Sequence, residues 1–153
     1  MLAFRIADRR HPIFDATGAM LKGARWNSPG KRVIYAAETY AGAVFETLVH
    51  ANLGSVPKTL ASITIHIPED LALEALEPSA LTNWSAEDLL ASRSFGDLWI
   101  DEQHSAVLLV PGVVLQGRER NVLINPGHPD FSRIQADSPE PVLWDPRLFS
   151  RAN

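Results

Sequence analysis

Apolar and polar residues alternate with a two-residue period in several short segments of the chain. In Leu60–Ile67, three isoleucines alternate with a serine, a threonine and a histidine. This alternation is typical of a strand with one buried face. Apolar runs predict further strands at Leu2–Ile6, Arg32–Ala37, Ala106–Val110, Val113–Leu115 and Val122–Ile124.

A period of three to four residues predicts two helices. Thr39 can cap the first helix, which we expect to run to about Asn52. The second helix is predicted at Ser92–Asp101, despite Gly96. Because strands outnumber helices and the two are mixed along the chain, the sequence predicts an α+β fold.

The first of these helices has two different faces. Its apolar stripe, of the kind that faces a core, consists of Ala41, Val44, Phe45, Leu48 and Val49. The opposite face carries Gly42, Ala43, Glu46 and His50. Small residues beside a carboxylate let another backbone or a ligand approach closely, so this second face gives the first indication of a site.

The length of 153 residues is typical of one domain, and no linker divides the chain. We therefore expect a single compact domain over residues 1–153. The polar stretch from Ala7 to Gly23 predicts a long irregular loop, and long loops in compact domains are often functional. It leads into Ala24–Gly30, whose Asn-Ser-Pro-Gly end indicates a turn.

The charge balance and the composition exclude several function classes. The chain has 14 lysines and arginines against 18 aspartates and glutamates, a formal net charge of -4, whereas proteins that bind phosphate backbones are usually basic. We therefore expect no direct binding of nucleic acid. The absence of cysteine excludes a disulfide framework, a thiolate zinc site and a thiol nucleophile. With no membrane-spanning apolar run and no secretion signal, the expected location is the cytoplasm.

Common catalytic and cofactor motifs are missing. The chain has no phosphate-binding loop, no dinucleotide fingerprint and no nucleophile elbow. Its five histidines show none of the close pairings that zinc sites favour. We therefore expect neither a metal site nor a resident cofactor.

Three residues from a loop, a strand and the following helix can form a site: Arg25, Tyr35 and Glu46. An arginine holds phosphate or pyrophosphate through bidentate hydrogen bonds. A tyrosine offers a flat face for a heteroaromatic ring, and a carboxylate can stabilise an oxocarbenium-like sugar. Together they suit the cleavage of an N-glycosidic bond in a phosphorylated nucleotide. The alternative is structural: a surface ion pair for Arg25, core packing for Tyr35 and a solvated Glu46.

The same residues carry a family resemblance. The chain resembles the RES-domain toxins of bacterial RES–Xre toxin–antitoxin modules over nearly its whole length. The matching pieces are Phe4-Arg5-Ile6, Gly23-Ala24-Arg25-Trp26-Asn27, Val33-Ile34-Tyr35-Ala36, Ala43 through Glu46, Leu48-Val49-His50, Gly96-Asp97-Leu98-Trp99, Leu109-Val110-Pro111, Asn121-Val122-Leu123-Ile124-Asn125-Pro126, His128-Pro129 and Asp145-Pro146-Arg147-Leu148.

The resemblance implies a fold like that of ADP-ribosyltransferases and an activity that consumes NAD+. The nicotinamide–ribose bond is then broken with phosphate or water as the acceptor, so phosphate is a candidate co-substrate. By position, Arg25, Tyr35 and Glu46 correspond to the family's catalytic arginine, tyrosine and glutamate. The resemblance also implies a cognate Xre-type antitoxin that covers the NAD+ cleft and buries apolar surface around it.

Four further residues are expected to bind substrate: Arg5, Asn27, Gly112 and Asn121. Arg5 adds positive charge near Arg25. Gly112 stands where the family has a serine, directly after Val110-Pro111. A glycine there still offers its backbone N–H, but it puts the activity level and the choice of acceptor in question.

Two other functions remain open at this stage. The first is transfer of ADP-ribose to a protein, which shares the same first step. The second is a non-catalytic module whose pocket only recognises a nucleotide or a partner. A nuclease is disfavoured by the acidic charge balance and by the lack of a metal-binding cluster.

Overall fold

The computed structural model describes residues 1–50 and 57–149. Its strands are Leu2–Asp8 (β1), Ile34–Ala37 (β2), Leu60–His66 (β3), Leu73–Ala75 (β4), Val107–Pro111 (β5), Arg120–Ile124 (β6), Gln135–Ala136 (β7) and Glu140–Pro141 (β8). Its α-helices are Thr17–Lys22 (α1), Tyr40–His50 (α2) and Leu90–Glu102 (α3). Short 3-10 helices cover Pro78–Ala80, Pro129–Arg133 and Pro146–Leu148. The predicted α+β class is confirmed.

One sheet contains all of these strands, in the order β4-β5-β6-β2-β1-β3-β7, with β8 also paired to β3. The β4–β5 pair is parallel, and the other pairs are antiparallel. Strands β1 and β2 are neighbours at the centre, where Phe4 lies opposite Ala37. On the other side of β2, Asn121 of β6 lies opposite the same Ala37. The sheet therefore brings together segments that are far apart in the sequence.

Hydrophobic clusters cover both faces of the sheet, because side chains alternate between faces along each strand. In β2, Ile34 belongs to one cluster and Tyr35 packs against the other. The first cluster includes Ile65 of β3, which is 0% exposed, as the alternation predicted. The second cluster includes Trp26, which lies in a loop before β2, and Trp99 of α3. Because α3 covers this face, the loop that carries Trp26 is fixed next to Tyr35.

Helix α2 begins as the sequence predicted. The Thr39 hydroxyl accepts a hydrogen bond from the Gly42 N–H at 2.9 Å, which is the expected capping interaction. The helix runs from Tyr40 to His50. Its predicted end at Asn52 lies outside the described residues.

The predicted orientation of α2 is wrong. The residues that it buries are Gly42 and Ala43, whereas Phe45 and Val49 of the predicted core stripe are 47% and 60% exposed. A side chain at position 42 would begin 3.2 Å from a carboxylate oxygen of Glu119. The helix lies so close to its neighbours that only the face with small residues fits, and this requirement outweighs the burial of the larger apolar side chains.

Two loop predictions also need correction. The stretch from Ala7 to Gly23 is not wholly irregular, because β1 extends to Asp8 and the stretch contains α1. Asp15 is a sequence signal for the start of α1 that was missed. Its carboxylate oxygen accepts a hydrogen bond from the Thr17 N–H at 2.7 Å.

The segment Val113–Leu115 forms turns and not the predicted strand. The turn closes through a hydrogen bond of 2.8 Å from the Gly117 N–H to the Gly112 carbonyl oxygen. Gln116 and Gly117 have φ angles of 54° and 76°, and this left-handed backbone interrupts an extended strand. No helix within residues 1–50 and 57–149 has the length and apolar character needed to cross a membrane.

Candidate active site

A pocket of about 890 Å³ opens where β1, β2, α2 and the start of α3 meet. Its wall includes five of the seven residues predicted to form the site: Arg5, Arg25, Tyr35, Glu46 and Asn121. Each comes from a different element or loop of the fold. The arrangement predicted from the sequence, in which the arginine, the tyrosine and the glutamate share one pocket, is therefore present.

Glu46 lines the pocket because of the way α2 packs. Gly42 and Ala43 are buried one turn earlier, and residues three and four positions apart share a helix face. The Asn121 side-chain amide donates a hydrogen bond to Oε1 of Glu46 at 3.0 Å. Within the described residues Oε2 accepts no hydrogen bond, so the carboxylate is oriented through one oxygen and keeps the other for a ligand.

Tyr35 is held by its hydroxyl group. The hydroxyl donates a hydrogen bond to Oδ1 of Asn27 at 2.8 Å and accepts one from the Trp26 N–H at 3.0 Å. Burial raises the pKa of Tyr35 well above its ordinary value, so the phenol stays protonated at neutral pH. Because its hydroxyl is occupied, the ring suits stacking against a ligand better than proton transfer.

Arg25 lines the pocket and bonds to the segment that precedes α3. Its Nη1 donates hydrogen bonds to the backbone oxygens of Trp84 at 3.2 Å and Ala86 at 3.0 Å. These bonds hold the segment before α3 against the pocket. Among the residues that the structure describes, Nε and Nη2 of Arg25 make no hydrogen bond. No carboxylate of these residues lies within ion-pair distance of the guanidinium. Much of its donor fork is therefore available to an anion.

Arg5 adds a second positive charge to the pocket wall. Its Nη1 donates a hydrogen bond to the Tyr35 carbonyl oxygen at 2.6 Å, whereas its buried Nε has no hydrogen-bond partner in the described part of the chain. Burial lowers the pKa of Arg5, and the charge of Asp15 opposes that shift. An arginine remains protonated in proteins, so an anion in the pocket would stabilise this buried cation.

Asn27 does not line the pocket. It is 0% exposed, and its Nδ2 donates hydrogen bonds to three backbone oxygens, those of Ala19, Ser28 and Lys31. Its Oδ1 accepts the hydrogen bond from Tyr35. The side chain therefore ties the loop before β2 to the Tyr35 hydroxyl, one layer behind the pocket surface.

Gly112 also lies behind the pocket wall, after β5. The backbone N–H that we expected to serve a substrate donates a hydrogen bond to the Glu119 carbonyl oxygen at 2.9 Å. A Cβ at position 112 would lie 3.5 Å from Oδ1 of Asn121 and 3.7 Å from Oε1 of Glu46. Position 112 therefore adjoins the Glu46–Asn121 pair, and any side chain there would contact both.

Arg93 is a pocket residue that the sequence analysis missed. It lies in the first turn of α3 and lines the pocket together with Leu89. Its Nε donates a hydrogen bond to the Ala24 carbonyl oxygen at 2.9 Å. A signal was present, because α3 has no acidic residue in its first turn and a cation there is unfavourable to the helix dipole. Within residues 1–50 and 57–149, no group of three histidine, aspartate or glutamate side chains is arranged to hold a metal ion.

Comparison with known proteins finds a matching family model and similar sequences. The chain matches the family model of the RES domain over residues 2–145. It is 40% identical over 142 residues to the Prs ADP-ribosylating toxin of Sphingobium sp. (strain YBL2), and the alignment covers 90% of this chain and 88% of that protein. It is 33% identical over 153 residues to Toxin Res of Yersinia enterocolitica, with 97% of this chain and 99% of that protein covered.

A solved structure shares the fold. The chain aligns with a chain of the M. tuberculosis MbcT–MbcA toxin–antitoxin complex with a TM-score of 0.74, covering 97% of this chain and 86% of that chain. The sequence identity is 18%, so this similarity concerns the fold alone.

Proposed function

This chain belongs to the RES-domain family of toxins, and from that premise we propose that it breaks the bond between nicotinamide and ribose in NAD+. One observation carries the proposal: Arg25, Tyr35 and Glu46 line a single pocket of about 890 Å³. Pockets that bind small molecules have volumes of about 300–1,000 Å³, so a dinucleotide is a ligand of suitable size.

Binding of NAD+ rests on charge and on the tyrosine ring. Arg25 binds the pyrophosphate or the nicotinamide ribose through the donors that the protein leaves unused, and Arg5 adds positive charge. Tyr35 stacks on the nicotinamide ring or its ribose. Its hydroxyl bonds to Trp26 and Asn27 hold the ring in position before the ligand arrives.

Bond cleavage rests on Glu46. As the bond from C1′ to the nicotinamide nitrogen breaks, its electron pair leaves with the neutral nicotinamide and C1′ gains positive charge. The Glu46 carboxylate stabilises that charge and orients the ribose hydroxyls. Because this interaction strengthens only as the charge develops, it lowers the barrier more than it tightens substrate binding. The acceptor then bonds to C1′ and releases its proton to solvent.

The acceptor separates two forms of the activity. Phosphate or water as the acceptor gives degradation of NAD+, which we take as the first candidate. Transfer of ADP-ribose to a protein is the second candidate, and the 40% identity to a toxin named as ADP-ribosylating supports it. Both forms use the same first step, and so the same three residues.

A cognate antitoxin is the proposed partner, of the Xre type implied by the resemblance. A structural neighbour of this chain occurs in a toxin–antitoxin complex. Beside the pocket, α2 exposes Phe45 and Val49, at 47% and 60%, on the turns that flank Glu46. Exposed apolar side chains next to a site are typical of a surface that a partner covers. The cytoplasm remains the proposed location.

The test is to incubate the pure protein with NAD+ that is labelled in its ADP-ribose part, with and without phosphate. Free nicotinamide with free ADP-ribose, or with its phosphorylated form, supports degradation. Free nicotinamide with label on an added protein substrate supports transfer. Binding of NAD+ without any release of nicotinamide would contradict the proposed reaction and leave the non-catalytic module, in which the glycine at position 112 marks lost activity.

A further inference from the structure

We infer that Arg93 and Arg25 together form a subsite for the diphosphate group of the ligand. The inference rests on the proposed function and deepens it, because it names the part of the pocket that binds the diphosphate of the dinucleotide. The placement of both arginines in the wall of one pocket does not depend on the proposed reaction.

The side chain of Arg93 is anchored to the backbone next to Arg25. Nε of Arg93 donates a hydrogen bond to the carbonyl oxygen of Ala24 at 2.9 Å, and Ala24 directly precedes Arg25 in the sequence. The side chains of both arginines line the pocket, and Tyr35, Leu89 and Ala24 line the same pocket.

Neither guanidinium is neutralised by the protein. In the described ranges 1–50 and 57–149, Arg93 and Arg25 make hydrogen bonds only to backbone oxygens, and no carboxylate lies within ion-pair distance of either. Other arginines of this chain are paired, as Arg120 is with Glu38 and Arg133 with Asp70. Two positive charges in the wall of one pocket repel each other, so the pocket favours a ligand group that carries more than one negative charge.

A diphosphate fits this requirement better than a single carboxylate does. Each phosphate presents oxygens that match the planar donor fork of arginine. Arg93 contributes its Nη1 and Nη2 groups, since only Nε is bonded to the protein. Arg25 contributes Nε and Nη2, since Nη1 holds the segment that precedes α3. The nicotinamide ribose of the ligand then extends towards Tyr35 and Glu46.

The test compares the binding of ADP and of adenosine by calorimetry, without any catalytic readout. Arg93→Gln removes the charge and keeps an amide that can reach the Ala24 oxygen, and Arg93→Ala removes both. Arg133→Ala is the matched control, because it deletes one positive charge outside the pocket. We expect both Arg93 variants to weaken ADP binding about 10- to 100-fold, as is usual for a lost charge-assisted hydrogen bond. We expect no change in adenosine binding, and none in the control variant.

Four results would each overturn the inference. In the Arg93 variants these are equal loss of ADP and adenosine binding, unchanged ADP binding, or loss of fold in both variants. The fourth is a wild-type protein that does not bind ADP. The outcome is separate from that of the proposed reaction. A wild-type protein that binds ADP through Arg93 but releases no nicotinamide from NAD+ contradicts the reaction alone. A protein that releases nicotinamide and binds ADP equally well without Arg93 contradicts this inference alone.

Discussion

The side chains of Asn121 and Glu46 are joined by a hydrogen bond of 3.0 Å between positions that lie 75 residues apart. Asn121 is in a central strand of the sheet, next to β2, and Glu46 is in α2. The amide N–H donates to Oε1 of the carboxylate. This bond fixes the position of the negative charge in the pocket before any ligand binds.

Removal of this bond should slow the reaction while leaving the fold intact. We expect Asn121→Ala to lower kcat for nicotinamide release about 10- to 100-fold, which corresponds to a hydrogen bond to a charged group. Asn121→Asp has almost the same shape but sets a second carboxylate against Glu46, and we expect a larger loss. Steady-state kinetics at saturating NAD+ measure the effect. A wild-type kcat in Asn121→Asp would show that the bond does not matter for the reaction.

Replacing Arg25 with lysine should damage the enzyme although the charge is kept. A lysine cannot donate both to the backbone oxygens of Trp84 and Ala86 and to a phosphate in a fixed plane. We expect Arg25→Lys to reduce kcat/KM about 10-fold or more. Arg133→Lys, outside the pocket, serves as the control and should keep the wild-type value. Equal values for the two variants would contradict the role of the guanidinium.

Alkaline pH should destabilise the protein through Tyr35. Its pKa in the folded chain is raised by burial, whereas in the unfolded chain it is about 10. The stability from the protonated phenol is therefore complete below about pH 10 and is lost as the pH rises above that value. The chain has 2 tyrosines, so in Tyr40→Phe the ultraviolet titration reports Tyr35 alone. We expect Tyr35 to ionise only when the protein unfolds. A reversible titration at or below pH 10 in the folded protein would contradict the burial of the hydroxyl.

A side chain at Gly96 should prevent correct packing of α3. A Cβ there would lie 1.8 Å from the carbonyl oxygen of Trp26, and backbone atoms cannot move away at low cost. We expect Gly96→Ala to lower the free energy of unfolding by about 3 kcal/mol or more. Gly18→Ala, in α1 with nothing within 4 Å of the new Cβ, is the control and should stabilise slightly. Urea unfolding distinguishes the two. Similar midpoints would show that α3 does not pack this closely on the Trp26 loop.

Strands were the part of the fold that the sequence predicted well. The alternating segment Leu60–Ile67 corresponds to β3 at Leu60–His66, and Val122–Ile124 lies within β6. A period of two residues is a local signal that requires only one buried face. It cannot give the order of strands in the sheet, because pairing joins segments that are distant in sequence.

The orientation of α2 could not be predicted from hydrophobicity. Hydrophobicity predicted that Phe45 and Val49 face the core. In the structure α2 lies so close to the sheet that it buries Gly42 and Ala43 instead. The small residues beside Glu46 were interpreted as an opening for a ligand or a backbone, whereas at Gly42 the side chains of Thr39, Glu119 and Ala37 occupy that space. Tertiary packing outweighed the local pattern here.

The three central site residues could be proposed from the sequence because their chemistry is uncommon in combination. Arg93 was missed although a local signal existed, because its position in the pocket depends on the packing of α3 against the loop at Ala24. The positions of Asn27 and Gly112 relative to the pocket surface depend in the same way on loops folding back. Sequence patterns indicate which residues can do chemistry, and tertiary contacts decide which of them face the ligand.

The central claim is that the Glu46 carboxylate stabilises positive charge on the ribose. Glu46→Gln tests it most directly, because a glutamine has the same shape and can still accept the hydrogen bond from Asn121. The measurement is the rate of nicotinamide release from saturating NAD+ by the wild-type and variant proteins, with ADP binding as the check on an intact pocket. We expect a fall of about 100- to 1,000-fold in rate with unchanged ADP binding. Release of nicotinamide by Glu46→Gln at the wild-type rate would contradict the account.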